Sequence, residues 1–268
     1  MEQQILLQQS RQDYIDLIQL TDTHILSEKG ETFDAIDTML SLQQVIKYAQ
    51  ANIWPPDAVL LTGDLVHNPE RKAYKRLAEI LQTMDVRVFC IPGNHDDPEL
   101  MRKVMLQDNI YAEKVLQFQQ WTVLMLNTYQ ANTHAGYLHN DELEFLKEQL
   151  NEHVDKYVLI CLHHPPVSIG SPWMDKMSLK NSDDLFSIID QYHNIKGILW
   201  GHIHQEFNGV YNNIQLMATP STCVQFTPGT SVYLKDNKPP GYRRLKLYNS
   251  GEIKTEIIRV PHRNCIPV

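Results

Sequence analysis

The chain has 268 residues, 43% hydrophobic and 21% charged, with 11 Gly and 14 Pro. That mixture fits one large globular domain and excludes disordered, fibrous and low-complexity classes. Lys and Arg number 24 against 32 Asp and Glu, for a formal net charge of −8, and with no dense basic run the composition excludes nucleic acid as a bulk partner.

Taken in chain order, the first strand is expected at YIDLIQL from Tyr14, and it runs into the polar motif TDTHIL. A helix follows over about Phe33 to Asn52, with Ile36, Met39, Leu40 and Ile46 on one face, Asp34 near its start and Trp54-Pro55-Pro56 closing it. AVLL from Ala58 predicts a second strand, about Glu70 to Met84 a second helix, and VRVFCI from Val86 a third strand. Val115 to Phe118 and Trp121 to Asn127 flank Gln119-Gln120 and predict a tight strand pair, although its turn lacks Gly. Further helices are expected over about Asp141 to Glu152 and Ser182 to Tyr192, the latter grouping Leu185, Ile188 and Ile189, with strands at YVLICL from Tyr157 and IKGILW from Ile195. Most of these strands are short, nearly unbroken apolar runs, as strands covered on both faces are.

After His204 the pattern changes to FNGVYNNIQLMA, YRRLKLY and IKTEIIRV, short pieces expected to contribute a sheet of their own. This order predicts an α/β fold, a sandwich with two sheets inside and helices outside. The expectation is a single domain over 1–268, in which the segment from about 218 to 268 completes the second sheet and shapes the substrate site. No segment approaches the ~18 consecutive apolar residues of a membrane helix, and the start MEQQILLQQSRQDY lacks a cationic opening before a long apolar stretch, so a cytoplasmic protein without a membrane partner is expected. Cys90, Cys161, Cys223 and Cys265 are widely spaced with no CxxC pair, which predicts buried reduced thiols and not a disulfide framework.

The apolar runs at Tyr14, Ala58, Val86, Tyr157 and Ile195 each end in a metal-competent motif: TDTHIL, TGDLVHN, PGNHDD, HHPP and GHIHQ. In open α/β sheets the ligand crevice lies beyond the carboxyl ends of the strands, so these five loops are expected to converge. Asp22, His24, Asp64, Asn94, His163, His202 and His204 supply carboxylate, amide and imidazole donors and no thiolate, a set suited to Mn²⁺, Fe²⁺ and Zn²⁺. Seven donors exceed what one ion with open positions takes, and two ions sharing one carboxylate use them fully. The two-residue spacings Asp22/His24 and His202/His204 put each pair on one side if the backbone there is extended.

The ordered series D-x-H, GD, GNHD, a strand-ending His before a Pro-containing loop, and GHxH resembles the calcineurin-like metallophosphoesterases. Together with ATPSTCVQF at Ala218 and PGYRRLKLY at Pro240, it looks like the class III cyclic nucleotide phosphodiesterases acting on 3′,5′-cyclic AMP. The resemblance implies a four-layer αββα sandwich holding two divalent ions, Fe²⁺ and/or Mn²⁺ with Zn²⁺ also fitting. It places Asp22, His24 and His204 on one ion, Asn94, His163 and His202 on the other, and Asp64 between them. His163 is favoured over the adjacent His164, which stays open as the ligand. A hydroxide bridging the ions is expected to attack phosphorus, with substrate bound through His24, Asp64, Asn94, His95, His163 and His204. Asp64 and His95 are the expected catalytic residues, His95 protonating the leaving oxygen or bonding the phosphoryl group and Asp96 orienting it. A glycerophosphodiester or another phosphoester is the alternative substrate, a non-catalytic scaffold is less favoured, and the oligomeric state stays open, a homodimer included. His67, His134, His139, His153, His193 and His262 are expected to be structural or surface residues, His67 being the first candidate for an exception, and no nucleobase contact is assigned to Trp173, Trp200 or Tyr129.

Overall fold

Alternate residues of the central strands feed different hydrophobic layers, as the period of two along a strand requires. Ile15 and Leu17 point one way while Ile18 and Leu20 point the other, and Ala58 and Leu60 likewise oppose Val59 and Leu61. With no polar face to give to water, these strands must be covered on both sides.

The computed structural model describes residues 4–261, so His262 and Cys265 lie outside the described residues. The elements are β1 (Gln4–Leu6), β2 (Tyr14–Leu20), α1 (Thr38–Asn52), β3 (Ala58–Thr62), α2 (Arg71–Gln82), β4 (Val88–Ile91), α3 (Pro98–Met105), β5 (Ile110–Tyr111), β6 (Val115–Gln117) and β7 (Trp121–Met125). They continue with α4 (Asn140–Glu152), β8 (Tyr157–Cys161), α5 (Pro172–Asp175), α6 (Ser182–Ile189), β9 (Ile195–Trp200), β10 (Phe207–Tyr211), β11 (Ile214–Ala218), β12 (Gln225–Phe226), β13 (Lys235–Asp236), β14 (Gly241–Tyr248) and β15 (Ile253–Arg259).

Six strands form one sheet in the order β15-β14-β2-β3-β4-β5, seven form the other in the order β1-β6-β7-β8-β9-β11-β10, and β12 and β13 make a small separate hairpin. The two sheets face each other across Leu17, Leu60, Phe89, Val123, Leu159 and Leu245. On the outer side of the six-stranded sheet lie Leu42 and Val45 of α1, Leu77 of α2 and Met101 of α3. Leu146 and Leu150 of α4 and Leu185 and Ile189 of α6 cover the seven-stranded sheet. The α/β sandwich expected from the sequence is thus present, layered helix, sheet, sheet, helix. The hairpin of β6 and β7 also forms, closed around Gln119-Gln120 by Phe118 N–H donating to Trp121 O at 2.8 Å.

The pieces after His204 expected to form a sheet of their own, now β10, β11, β14 and β15, instead join the two large sheets. β10 and β11 extend the seven-stranded sheet beside β9, while β14 lies antiparallel on β2 with Leu245 opposite Leu17, so the segment beyond 218 extends the first sheet and not the second. Burial explains this: Leu245 and Leu247 are fully buried between the sheets, and β14 covers the edge that β2 would otherwise expose. Arg244 fixes the register with two bonds to Asp16, at 2.9 and 2.7 Å. Arg243, on the opposite face and 1% exposed, donates to Ala218 O at 2.8 Å and Thr219 Oγ1 at 3.1 Å, tying the two sheets together.

α1 begins later than the pattern suggested. Asp37 is its N-cap, accepting from Leu40 N–H at 2.9 Å, whereas Asp34 has a left-handed backbone at φ +48°. The buried face is Leu42, Val45, Ile46 and Ala49, and Leu40 is 42% exposed. α3 was not foreseen; its N-cap Asp97 accepts from Leu100 N–H at 2.9 Å ahead of Pro98 in the first turn.

Candidate metal centre

The loops after β2, β3, β4, β8 and β9 meet at one end of the sandwich. Their backbone is not extended at the expected donors: φ is +53° at Asp22, +45° at His24, +49° at Asp64, +66° at His202 and +49° at His204. Left-handed backbone is uncommon for residues with a Cβ and costs of order 1–3 kcal/mol each, so the surrounding structure must hold it. It does so with bonds between loops: Asp22 N–H donates to Gly63 O and His24 N–H to Asp64 O, both at 3.0 Å, and His202 N–H to the Asp22 carboxylate at 3.0 Å. Close approach also demands glycine, since a Cβ at Gly93 would lie 2.2 Å from Asp64 Oδ1.

The side chains form two adjoining groups. In the first, His204 Nε2 lies 3.4 Å from Asp22 Oδ1, and His24 Nε2 lies 3.1 Å from His204 Nε2 and 3.6 Å from Asp64 Oδ2. In the second, His163 Nε2 lies 3.3 Å from Asp64 Oδ1 and 3.3 Å from Asn94 Oδ1. The His202 ring packs 5.1 Å from that of His163, and neither of its buried nitrogens has a protein partner. Thus the two oxygens of Asp64 face different groups.

The tautomers are set from behind. His163 Nδ1 bonds to Thr62 O at 2.8 Å and His204 Nδ1 to Val224 O at 2.7 Å, which leaves each Nε2 directed at the carboxylates. His164 turns Nδ1 to Thr128 Oγ1 at 2.7 Å, and its Nε2 is buried without a partner near His163 and His202. Imidazole nitrogens and carboxylate oxygens converging from five loops, together with the orphaned nitrogens of His202, fit divalent cations of the nitrogen and oxygen type.

Electrostatics agree. Burial, reinforced by neighbouring imidazoles, holds His24, His164 and His202 well below the ordinary histidine value, so they are neutral donors. Burial opposes protonation of His163 as well, yet the Asp64 carboxylate beside it prevails and raises it to about 9. Against its own burial, Asp64 is held well below the usual carboxylate range by His163 and His95. A cation entering here competes with that shared proton and releases it.

His95 lies at the rim of a cavity of about 260 Å³ that borders both groups. Its N–H donates to Asp64 Oδ1 at 2.9 Å and its Nδ1 bonds to His67 O at 2.8 Å, so His67 and not Asp96 orients the ring. Asp96 is instead a buried clamp between loops, accepting from Gly93 N–H at 2.8 Å, Leu65 N–H at 3.1 Å, Val66 N–H at 3.3 Å and Tyr74 O–H at 3.1 Å.

Of the histidines set aside, His67 and His134 line the cavity, His134 Nδ1 lying 3.0 Å from Asn94 Nδ2. His139, His153 and His193 stand away from it. The tail motif packs beneath the centre, Ser221 Oγ donating to Asp22 O at 2.8 Å. Trp200 is fully buried in the core, while Trp173 reaches the cavity wall.

The family model for calcineurin-like phosphoesterases matches residues 15–206. The 3′,5′-cyclic adenosine monophosphate phosphodiesterase CpdA of Haemophilus influenzae is 35% identical over 260 residues, covering 97% of this chain and 95% of that protein. The protein of the same name from Escherichia coli K12 is 33% identical, with 92% and 90% covered. Among solved structures, a dimetal phosphatase from Danio rerio shares the fold with a TM-score of 0.60 at 13% identity, over 93% of this chain and 100% of its own. The motifs, their convergence on one buried cluster of donors, and these matches along most of the sequence lead to one conclusion: the chain belongs to the calcineurin-like phosphoesterase family.

Proposed function

We propose that this protein is a metal-dependent phosphodiesterase that hydrolyses 3′,5′-cyclic AMP to 5′-AMP. The observation that carries the chemistry is the position of Asp64, whose Oδ1 and Oδ2 lie 3.3 Å from His163 Nε2 and 3.6 Å from His24 Nε2, in separate donor groups. The substrate follows from relatives named for cyclic AMP that align with the chain almost end to end.

In this reading Asp22, His24 and His204 would hold one divalent ion, Asn94, His163 and His202 the other, and Asp64 would contribute an oxygen to each. Such a pair supplies positive charge for the phosphoryl oxygens and acidifies water near neutral pH. Iron(II) and manganese(II) suit the thiolate-free donor set, as does zinc(II). His95 acts from the rim: Nδ1–H donates to His67 O, which fixes the ring so that Nε2 is the nitrogen left to pass a proton to the departing 3′ oxygen. The Asp64 bond to His95 N–H keeps that ring in register with the donors. His24, Asp64, Asn94 and His204 border the same cavity, so the phosphodiester lies against them, and His163 acts from behind Asp64. Among the described residues no helix is long and apolar enough to cross a membrane, and Cys90, Cys161 and Cys223 are free and buried, which supports a cytoplasmic location.

The test is kcat/KM of metal-reconstituted protein on 3′,5′-cyclic AMP, 2′,3′-cyclic AMP, an aryl phosphodiester and a phosphomonoester. Preference for 3′,5′-cyclic AMP is expected. Turnover of the aryl diester with none of cyclic AMP would refute the substrate assignment.

A further inference from the structure

The cavity beside the donors has two chemically different ends. One is polar, bordered by His24, Asp64, Asn94, His95 and His204, with Phe33 packed on His24; the other is walled by Trp173, Met174, Met177, Phe226 and Tyr233. A cyclic nucleotide has the same polarity, an anionic phosphodiester at one end and a flat heteroaromatic base at the other.

The aromatic wall is prebuilt. Phe226 stacks on the imidazole of His204 with centroids 4.0 Å apart and planes 7° from parallel, so it is held by the polar end itself. Tyr233 packs nearly perpendicular to Trp173 and Phe226, with centroids 5.7 and 5.2 Å apart. Trp173 Nε1–H donates to Thr230 Oγ1 at 3.2 Å, and Thr227 N–H to Leu234 O at 2.8 Å closes the loop between β12 and β13 that carries Tyr233. Tyr233 nevertheless remains 43% exposed, leaving ring surface for a ligand.

Apart from the Tyr233 hydroxyl, the aromatic side chains of this wall offer faces without a free N–H or O–H, because the indole N–H of Trp173 is already committed to Thr230. We propose that Trp173 and Tyr233, backed by Phe226, form a nucleobase-stacking subsite that holds the base by its face and does not read its edge. The inference rests on the cyclic-nucleotide assignment above and adds what binds the base and how selectively. Stacking on an aromatic side chain tolerates any base, since each has a π face.

The test compares 3′,5′-cyclic AMP, 3′,5′-cyclic GMP and the base-free ribose 3′,5′-cyclic phosphate. Tyr233→Ala is expected to raise KM for cyclic AMP roughly 5- to 150-fold, the range for loss of one base–aromatic stack, with kcat nearly unchanged. Tyr233→Phe should behave as wild type, and the base-free substrate should not respond to either change. Wild-type kcat/KM for the two cyclic nucleotides should agree within about 10-fold. Tyr233→Ala raising KM equally for the base-free substrate, or leaving KM for cyclic AMP unchanged, would overturn the subsite. Discrimination between the two bases beyond about 100-fold would overturn face-only binding. Should the wild type cleave an aryl diester but no cyclic nucleotide, the functional assignment falls by itself, and adenosine then decides the subsite. Competitive inhibition by adenosine that Tyr233→Ala weakens would support it, and absence of inhibition would overturn it.

Discussion

Replacing Asp96 separates a clamp between loops from a partner of His95. The carboxylate is 2% exposed; Oδ2 accepts from Gly93 N–H and Leu65 N–H, and Oδ1 from Val66 N–H and Tyr74 O–H. In Asp96→Asn the amide nitrogen fits best at the Oδ1 position, because the Tyr74 hydroxyl can reverse and accept from it. Two buried donors, the Val66 N–H and the reversed Tyr74 O–H, then lose their Asp96 acceptor, at a cost of about 1–3 kcal/mol each. Asp96→Ala orphans three backbone N–H groups at once, about 3–9 kcal/mol on the same scale, and frees the loops bearing Asp64 and Asn94. The order wild type, Asn, Ala should appear in denaturant midpoints at constant m-value, with metal content and turnover falling in the same order. An Ala variant within about 1 kcal/mol of wild type that keeps its metal would refute the clamp. So would an Asn variant of native stability whose pH–rate profile alone had moved, since that is what a partner of His95 would give.

Three further outcomes are expected. His95→Ala should lose about 10²- to 10⁴-fold in kcat while metal analysis finds the ions retained; near-native turnover would remove it from proton transfer. Arg243→Met keeps most of the volume between the sheets but removes the buried donations to Ala218 O and Thr219 Oγ1, and thermal or denaturant melts should show a loss of about 1–3 kcal/mol. Burial pushes the Cys90 and Cys223 thiols up to about 12 and that of Cys161 higher still, so at pH 8 a thiol reagent should leave all three unmodified until the chain is unfolded. Peptide mass spectrometry showing rapid labelling of Cys161 in native protein would contradict its burial.

Local features of the fold were legible where local physics decides them. The apolar runs at Tyr14, Ala58, Tyr157 and Ile195 became strands because burial on both faces leaves an unbroken aliphatic signature. The metal-competent loops could be read because parallel strands deliver their ends to one edge. What could not be read depends on distant partners. Nothing near Leu245 announces its pairing with Leu17, and Asp96, though adjacent to His95, is turned away by donors from Leu65, Val66 and Tyr74. The left-handed backbone at Asp22 and His202 lay beyond a period-two argument, being imposed by bonds that join these two loops to each other. α3, by contrast, carried a signal that could have been used: Asp97-Pro98 followed by Met101, Val104 and Met105 on one face.

The most direct measurement is the number of divalent ions bound per chain in active protein, compared between wild type and Asp64→Ala. Two ions in wild type, and loss of both together with cyclic AMP hydrolysis in the variant, is the expected result. Full turnover in metal-free protein, or two ions still bound when Asp64 is gone, would contradict an active centre built around that shared carboxylate.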